Sequence, residues 1–167
     1  MVDKSMELGV SSEEGMSLLI SGAWIAVPDG DARARAIFCR HYSARRYKDN
    51  RRRTLFVGPG EKMVLLTAEC DALFVWRKYV SDAGQCGVNC AVFRNEGPQL
   101  SSQLILEAEQ LAWARWPNER LYTYVAPHKI RSTNAGCCFK KAGWNVCGHS
   151  SGGLGRMEDC CCSRHTH

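Results

Sequence analysis

The chain has 167 residues, which favours one domain that is large enough to bury a hydrophobic core. It is 45% apolar, carries a net charge of +5 and contains no apolar run of about 18 residues, so we expect a globular protein without a membrane-spanning helix. The apolar segment 17–27 is too short to span a bilayer and follows Glu13 and Glu14, which is not the pattern of a signal peptide. We therefore expect a cytoplasmic protein.

The first half of the chain shows short elements after a polar start. Residues 1–15 are expected to be a disordered extension, and the folded domain is expected to span 16–158. Asp29 or Asp31 can cap the first helix. In chain order, hydrophobic patterning predicts a strand at 18–27, a helix through 32–38, and strands at 55–57, 63–67 and 72–79.

Basic side chains crowd the segment before Leu55. Such a cluster can attract the phosphate backbone of double-stranded DNA or another nucleic acid. A solvated face that binds nothing is the alternative interpretation. The side chains assigned to a nucleic-acid interface are Arg45, Arg46, Lys48, Arg51, Arg52 and Arg53.

The second half alternates strand, helix and strand. The pattern predicts a strand at 88–94, a helix at 100–116 and a strand at 121–125, followed by a short helix at 134–141. A strand–helix–strand connection favours parallel neighbouring strands joined by a right-handed crossover. The turn that enters the long helix is a place where free backbone N–H groups can hold a phosphate.

The long helix is expected to be amphipathic. Leu104 and Ala108 belong to an apolar stripe that faces the core, whereas Glu107 and Glu109 are expected on the opposite, solvated face. Pro117 ends this helix.

Ten cysteines raise the question of a metal site or of disulfide bonds. Without a signal peptide, reduced thiols are expected. The segment 159–167 contains Cys160, Cys161 and Cys162, and three adjacent thiolates cannot all point at one ion without distorting the chain. We predict a flexible Cys/His-rich tail and no metal site.

From about residue 85 to residue 157 the chain resembles the GNAT superfamily of N-acetyltransferases. The order of strand, helix and strand is similar, and so is a short last helix that ends in glycine and an aromatic residue. The resemblance implies a single α+β domain with a central mixed, mostly antiparallel sheet, a splayed parallel strand pair and flanking helices. The residues that carry it at the end of the domain are Asn134, Ala135, Gly136, Phe139, Ala142, Gly143 and Trp144.

The same resemblance implies acetyl-CoA, or another acyl-CoA, as the cofactor. The pantetheine arm would lie in the gap between the parallel strands, and the pyrophosphate would lie at the N-terminus of the long helix, where the dipole favours negative charge. A capped helix that binds nothing is the alternative. The residues implied to contact the cofactor are Phe93, Arg94, Asn95, Ser101, Ser102, Asn134 and Phe139.

The segment Arg40, His41, Tyr42 and Ser43, followed by a GNAT-like half, is similar to the Mom-type DNA-modification proteins of bacteriophages. That resemblance implies transfer of a carbamoylmethyl-type group to adenine in DNA, inside a bacterial host cell.

Five side chains are candidates for catalysis. A histidine can act as a general base or bind a metal, and a tyrosine on the splayed strand can act as an acid. Phe139 stands where many GNAT members carry the tyrosine acid, and a phenyl ring cannot donate a proton. The alternatives are a helix-end histidine bonded to a carbonyl, packed tyrosines, a turn serine and a surface histidine. The candidates are His41, Tyr42, Ser43, Tyr124 and His128.

The sequence thus predicts an N-acyltransferase that moves an acyl-type group from a CoA thioester to an amine, with a DNA adenine as one acceptor. Catalysis would depend on positioning the donor, with a strand N–H polarising the thioester carbonyl. Two other functions stay open, a non-catalytic nucleic-acid-binding protein and an acetyltransferase for a small amine or a protein.

Overall fold

A computed structural model describes residues 22–44, 54–80, 86–152 and 156–162, with side chains described as far as residue 149. These residues form one mixed sheet with three helices and a short 3₁₀ turn. The strands are β1 (Trp24–Val27), β2 (Glu61–Thr67), β3 (Ala72–Lys78), β4 (Val88–Asn95), β5 (Leu121–Val125), β6 (Asn145–Gly152) and β7 (Arg156–Cys162). The helices are α1 (Ala32–Phe38), α2 (Ser101–Arg115) and α3 (Cys137–Lys141), and the 3₁₀ turn is Pro127–Lys129.

The described strands lie in the order β1-β2-β3-β4-β5-β7-β6. Every neighbouring pair is antiparallel except β4 and β5, which are parallel because α2 carries the chain across between them. The predicted α+β class, with a mixed and mostly antiparallel sheet flanked by helices, is confirmed.

The parallel pair is splayed, as predicted. β4 and β5 pair only at Val88 with Leu121, at Asn89 with Tyr122 and at Cys90 with Thr123. Both strands continue beyond the last pair, β4 to Asn95 and β5 to Val125. A wedge therefore opens between them.

Two apolar clusters hold the layers together. The larger one joins α2 and α3 to one face of the sheet, and the smaller one joins α1 to the other face. Two buried tryptophans of the sheet fix α2 in place, since the indole N–H of Trp24 donates to the Leu104 carbonyl and that of Trp76 to the Ala108 carbonyl, each at 2.9 Å.

Four expectations were wrong in detail. The segment 55–57 is not a strand, because the N–H groups of Phe56 and Val57 donate to the Asp29 carboxylate at 3.0 and 3.2 Å instead of to a neighbouring strand. Glu109 is only 5% exposed rather than solvated.

The third and fourth concern the C-terminal hairpin. The sequence did not predict β6 or β7, and residues 159–162, which were assigned to a flexible tail, lie in β7. Cys147 is disulfide-bonded, so the expectation of reduced thiols is wrong for it, whereas six other described cysteines are reduced. Antiparallel pairing sets Val146 opposite Cys161 and Gly148 opposite Cys160, which brings cysteine-bearing segments together.

None of the helices within the described ranges is long and apolar enough to cross a membrane. The predicted N-terminal extension, 1–15, and the basic segment, 45–53, lie outside the described residues.

Candidate active site between β4 and β5

The wedge begins where β4 contains a β-bulge. Val75 of β3 pairs with Val92, but its neighbour Trp76 pairs with Cys90, so Ala91 is an extra residue in β4. As a result Cys90 and Phe93 both belong to the cluster on the α2 side, whereas Ala91 and Val92 both pack on the α1 side. A bulge bends its strand and increases the local twist, and here it coincides with the end of the β4–β5 pairing.

A cavity of about 180 Å³ lies at this wedge. α1 ends at one side of it, and the segment 130–139 forms the other side. The cavity brings together six residues that the sequence analysis assigned to the site. They are His41, Tyr42, Phe93, Tyr124, Asn134 and Phe139.

His41 is 9% exposed and is held by its neighbours. Its Nδ1 lies 2.7 Å from the Ser43 hydroxyl and accepts the Ser43 N–H at 3.2 Å, so the neutral ring carries its proton on Nε2. The ring also hydrogen bonds to the backbone of Phe93. Burial, with the charge of Arg94, lowers the pKa of His41 to about 4. His41 therefore links the end of α1 to β4 as a neutral ring, which favours the structural interpretation over a general base.

Tyr42 lies at the rim of the cavity, 39% exposed, with its ring 4.3 Å from the His41 ring and 6.0 Å from the Lys129 ammonium. Ser43 is exposed and serves as the partner of His41. His128 is exposed in the 3₁₀ turn and does not line the cavity. The structure thus brings His41, Tyr42 and Tyr124 together and leaves His128 apart.

The turn between β4 and α2 is organised by Asn95. Its amide donates to the Gln99 carbonyl at 2.7 Å and to the Ser101 hydroxyl at 3.0 Å, and its oxygen accepts the Gly97 N–H at 3.0 Å. The backbone N–H groups of residues 99–102 have no partner among the described residues, as is usual where a helix begins. Ser102 lies in the same first turn of α2. Asn95 therefore holds a turn that presents free N–H donors.

Arg94 is not a free cation. Its Nε donates to Glu96 at 2.6 Å, and Arg40 makes a bidentate pair with the same carboxylate at 2.8 and 2.7 Å. Arg40, and then Arg94, lower the pKa of Glu96 to about 2. Glu96 was not predicted as a site residue, although it is only two residues from Arg94, because its partner Arg40 is distant in sequence. The cluster keeps one net positive charge beside the turn.

Several cavity residues were also missed. The Thr123 hydroxyl donates to the Cys90 carbonyl at 3.0 Å, at the last residue pair before the strands separate. Cys90, Cys137 and Cys138 place three thiols on the cavity wall. The adjacent cysteines at the start of α3 were a visible signal, but their spacing suits no metal site, and no three His, Cys, Asp or Glu side chains of the described residues are arranged so that they could hold a metal ion.

Comparisons with protein-family models, with curated proteins and with solved structures found no match to this chain. The geometry of the wedge is therefore the basis on which a function can be proposed.

Proposed function

We propose that the protein is a GNAT-like N-acyltransferase, which moves an acyl-type group from a CoA thioester to an amine, with adenine in DNA as the leading acceptor. One observation carries this proposal. A parallel strand pair separates after three residue pairs, and the separation opens beside a helix N-terminus with free N–H groups. A ligand with a linear arm joined to a diphosphate fits this combination.

The chain supplies two sets of contacts for such a donor. Beyond Cys90, β4 has backbone groups that no residue of β5 pairs with, and these can bind the amide groups of a pantetheine arm. The free N–H groups of residues 99–102 and the dipole of the 15-residue helix α2 can bind the pyrophosphate. Asn95 preorganises this turn, and Arg94 and Arg40 offset the charge of Glu96 beside it.

The chemical step is proposed to depend mainly on position. A β4 N–H would polarise the thioester carbonyl, and the wedge would hold the carbonyl against the incoming amine. Of the five catalytic candidates, Tyr124 is the one that lies on β5, and its side chain lines the cavity. We therefore assign its hydroxyl as the proton donor to the leaving thiolate. Phe139 cannot take this role, and His41 uses both ring nitrogens elsewhere.

Charge around the cavity supports a polyanionic acceptor. From Arg120 to Met157 the sequence contains no Asp or Glu. Lys129, Arg131 and Lys141 are exposed in this stretch, and none of them pairs with a carboxylate among the described residues. The basic segment 45–53 follows Tyr42 and Ser43 closely in sequence. Such a surface attracts a phosphate backbone.

The test is mass spectrometry of nucleosides from the DNA of cells that express the protein. The wild type is expected to yield a modified adenosine, and Tyr124→Phe, which removes one hydroxyl, is expected to yield much less. An unmodified nucleoside profile from cells with soluble, folded wild type would overturn the DNA acceptor.

A non-catalytic nucleic-acid-binding protein is the second candidate, and the phenyl ring of Phe139 is the observation that favours it. Calorimetry separates the two. Duplex DNA binding with a steep salt dependence, but without acetyl-CoA binding, would favour the non-catalytic function. Acetyl-CoA binding with acetylation of small amines, and no change in DNA, would favour a small-amine acetyltransferase.

A further inference from the structure

The wedge contains a cluster of thiols for which the proposed direct transfer has no use. Cys90, Cys137 and Cys138 all line the cavity, from β4 on one side and from the start of α3 on the other. Two further thiols, those of Cys39 and Cys86, are exposed and do not line it. Three thiols in the cavity that is proposed to receive a thioester call for a chemical explanation.

The three thiols differ in their surroundings. Cys90 is 4% exposed, donates to the Val92 carbonyl at 3.6 Å, and has a pKa that burial raises far above its usual range, so it is a poor nucleophile. Cys138 packs against the larger apolar cluster. Cys137 and Cys138 are both partly exposed, but Cys137, which begins α3 at the cavity wall, does not belong to either apolar cluster. Cys137 is therefore the cavity thiol that apolar packing restrains least.

The other side chains of the cavity supply neither a carboxylate nor a free imidazole that could act as a general base for an attacking amine. Among the described residues no Asp or Glu lines it, and the ring of His41 is neutral and hydrogen bonded through both nitrogens. A cysteine needs less help than an amine, since a few per cent of an ordinary thiol is ionised at about pH 7 and the thiolate is a strong nucleophile.

We propose that Cys137 takes up the acyl group as a covalent intermediate before the amine receives it. This inference rests on the proposed acyltransferase function. In the first step the Cys137 thiolate attacks the thioester carbonyl. A carbon–sulfur bond to Cys137 forms, the bond to the CoA sulfur breaks, and CoA leaves as a thiol with the proton that Cys137 gave up, which the Tyr124 hydroxyl relays to it. The attacking and leaving groups are both thiolates, so the step needs no strong acid.

In the second step the acceptor amine attacks the Cys137 thioester. The carbon–nitrogen bond forms, the carbon–sulfur bond to Cys137 breaks, and the proton lost by the amine returns to the Cys137 thiolate. Atoms and charges balance over the two steps, and the enzyme is regenerated. Neither step uses an oxidant or a metal.

The test uses the full chain, acetyl-CoA without acceptor, and an acid quench followed by intact and peptide mass spectrometry. The expected result is an acetyl group on Cys137 that hydroxylamine removes, as it removes thioesters but not amides on lysine. Cys137→Ser is expected to lose this adduct, and Cys39→Ser, which changes an exposed thiol outside the cavity, is the control that keeps it. Cys39 and Cys86 report chemical acetylation of exposed thiols.

Calorimetry of acetyl-CoA binding on the same samples separates the possible failures. Binding without a thioester on Cys137 would overturn the covalent step and leave the proposed function standing. Equal acetylation of Cys39, Cys86 and Cys137 would also overturn it, as would acyl transfer to an amine at the wild-type rate by Cys137→Ser. Absence of acetyl-CoA binding would overturn both the covalent step and the proposed function.

Discussion

Two buried titratable side chains in this fold respond to pH in opposite directions. The pKa of His41 falls to about 4, mainly because burial disfavours the charged ring. The pKa of Glu109 rises to about 7, because burial disfavours the carboxylate more than the hydrogen bond from the Trp144 indole favours it. Each group is neutral in the folded state over a pH range in which it is charged in the unfolded chain.

For His41, the unfolded ring becomes charged below about pH 6.5 while the folded ring stays neutral down to about pH 4. Its contribution to stability is therefore present above pH 6.5 and is lost as the pH falls. As the pH falls from 7 to 5, we expect this side chain to lower the free energy of unfolding of wild type by about 2 kcal/mol. Urea unfolding of His41→Asn at the two pH values should lack this loss. An equal pH dependence in wild type and variant would contradict the assignment.

For Glu109, stability is fully present below about pH 4.5 and is lost as the pH rises through about 7, because the unfolded carboxyl ionises first. Glu109→Gln keeps an oxygen for the Trp144 indole and removes the titration. Between pH 4 and pH 8, we expect the free energy of unfolding of the variant to rise by about 3 kcal/mol relative to that of wild type. Denaturant titrations at both pH values measure this, and a gain that does not change with pH would count against a buried acid.

Local residue chemistry was predictable and long-range pairing was not. Asp31 was one of two expected helix caps, and its carboxylate accepts the N–H groups of Arg33 and Ala34 at 2.9 and 3.2 Å. Glu96 was not predicted as a site residue, and Glu109 was predicted to be exposed. Both errors arise because their partners, Arg40 and Trp144, lie far away in the sequence. A single sequence carries no local signal for such pairs.

At the scale of elements, hydrophobic periodicity predicted the order of β4, α2 and β5. The parallel pairing of the two strands was predicted because a helix that connects neighbouring strands usually makes them parallel. The bulge at Ala91 was invisible, because it depends on the register with β3 rather than on any glycine or proline in β4. β6 and β7 were missed because NVCGHSSG and RMEDCCC lack the alternation of a half-buried strand. The strand at 55–57 failed because a side chain, Asp29, took its N–H groups.

The turn before α2 can be tested through Asn95, whose side chain makes three hydrogen bonds within it. Asn95→Ala frees these partners and loosens the N–H groups proposed to hold the pyrophosphate. We expect the Kd for acetyl-CoA to rise about tenfold, the equivalent of roughly one hydrogen bond. Gln103→Ala is the control, because Gln103 is exposed in the first turn of α2, and this variant should bind like wild type. Equal affinity of all three proteins would remove Asn95 from the site.

At the scale of the whole molecule, the stretch 120–157 contains basic residues but no Asp or Glu, and it includes the segment 130–139 that lines one side of the cavity. We expect duplex DNA to bind with an affinity that falls steeply with salt. In the double variant Arg131→Ala and Lys141→Ala, the plot of log K against log salt should be less steep. The magnitude of its slope should fall by about one for each of the two cations that contacts a phosphate in the wild-type complex. Lys78→Ala removes a charge that already pairs with Glu119 at 2.6 Å, so its slope should match wild type. A slope that is the same for all three would contradict DNA binding through Arg131 and Lys141.

The central claim is that the wedge between β4 and β5 binds an acyl-CoA, and blocking its mouth tests this most directly. Ser132 and Thr133 are both exposed, but only Ser132 lines the cavity. The measurement is calorimetric titration of acetyl-CoA into wild type, Ser132→Trp and Thr133→Trp. We predict that wild type and Thr133→Trp bind while Ser132→Trp does not. Absence of binding by wild type, or full binding by Ser132→Trp, would contradict the account.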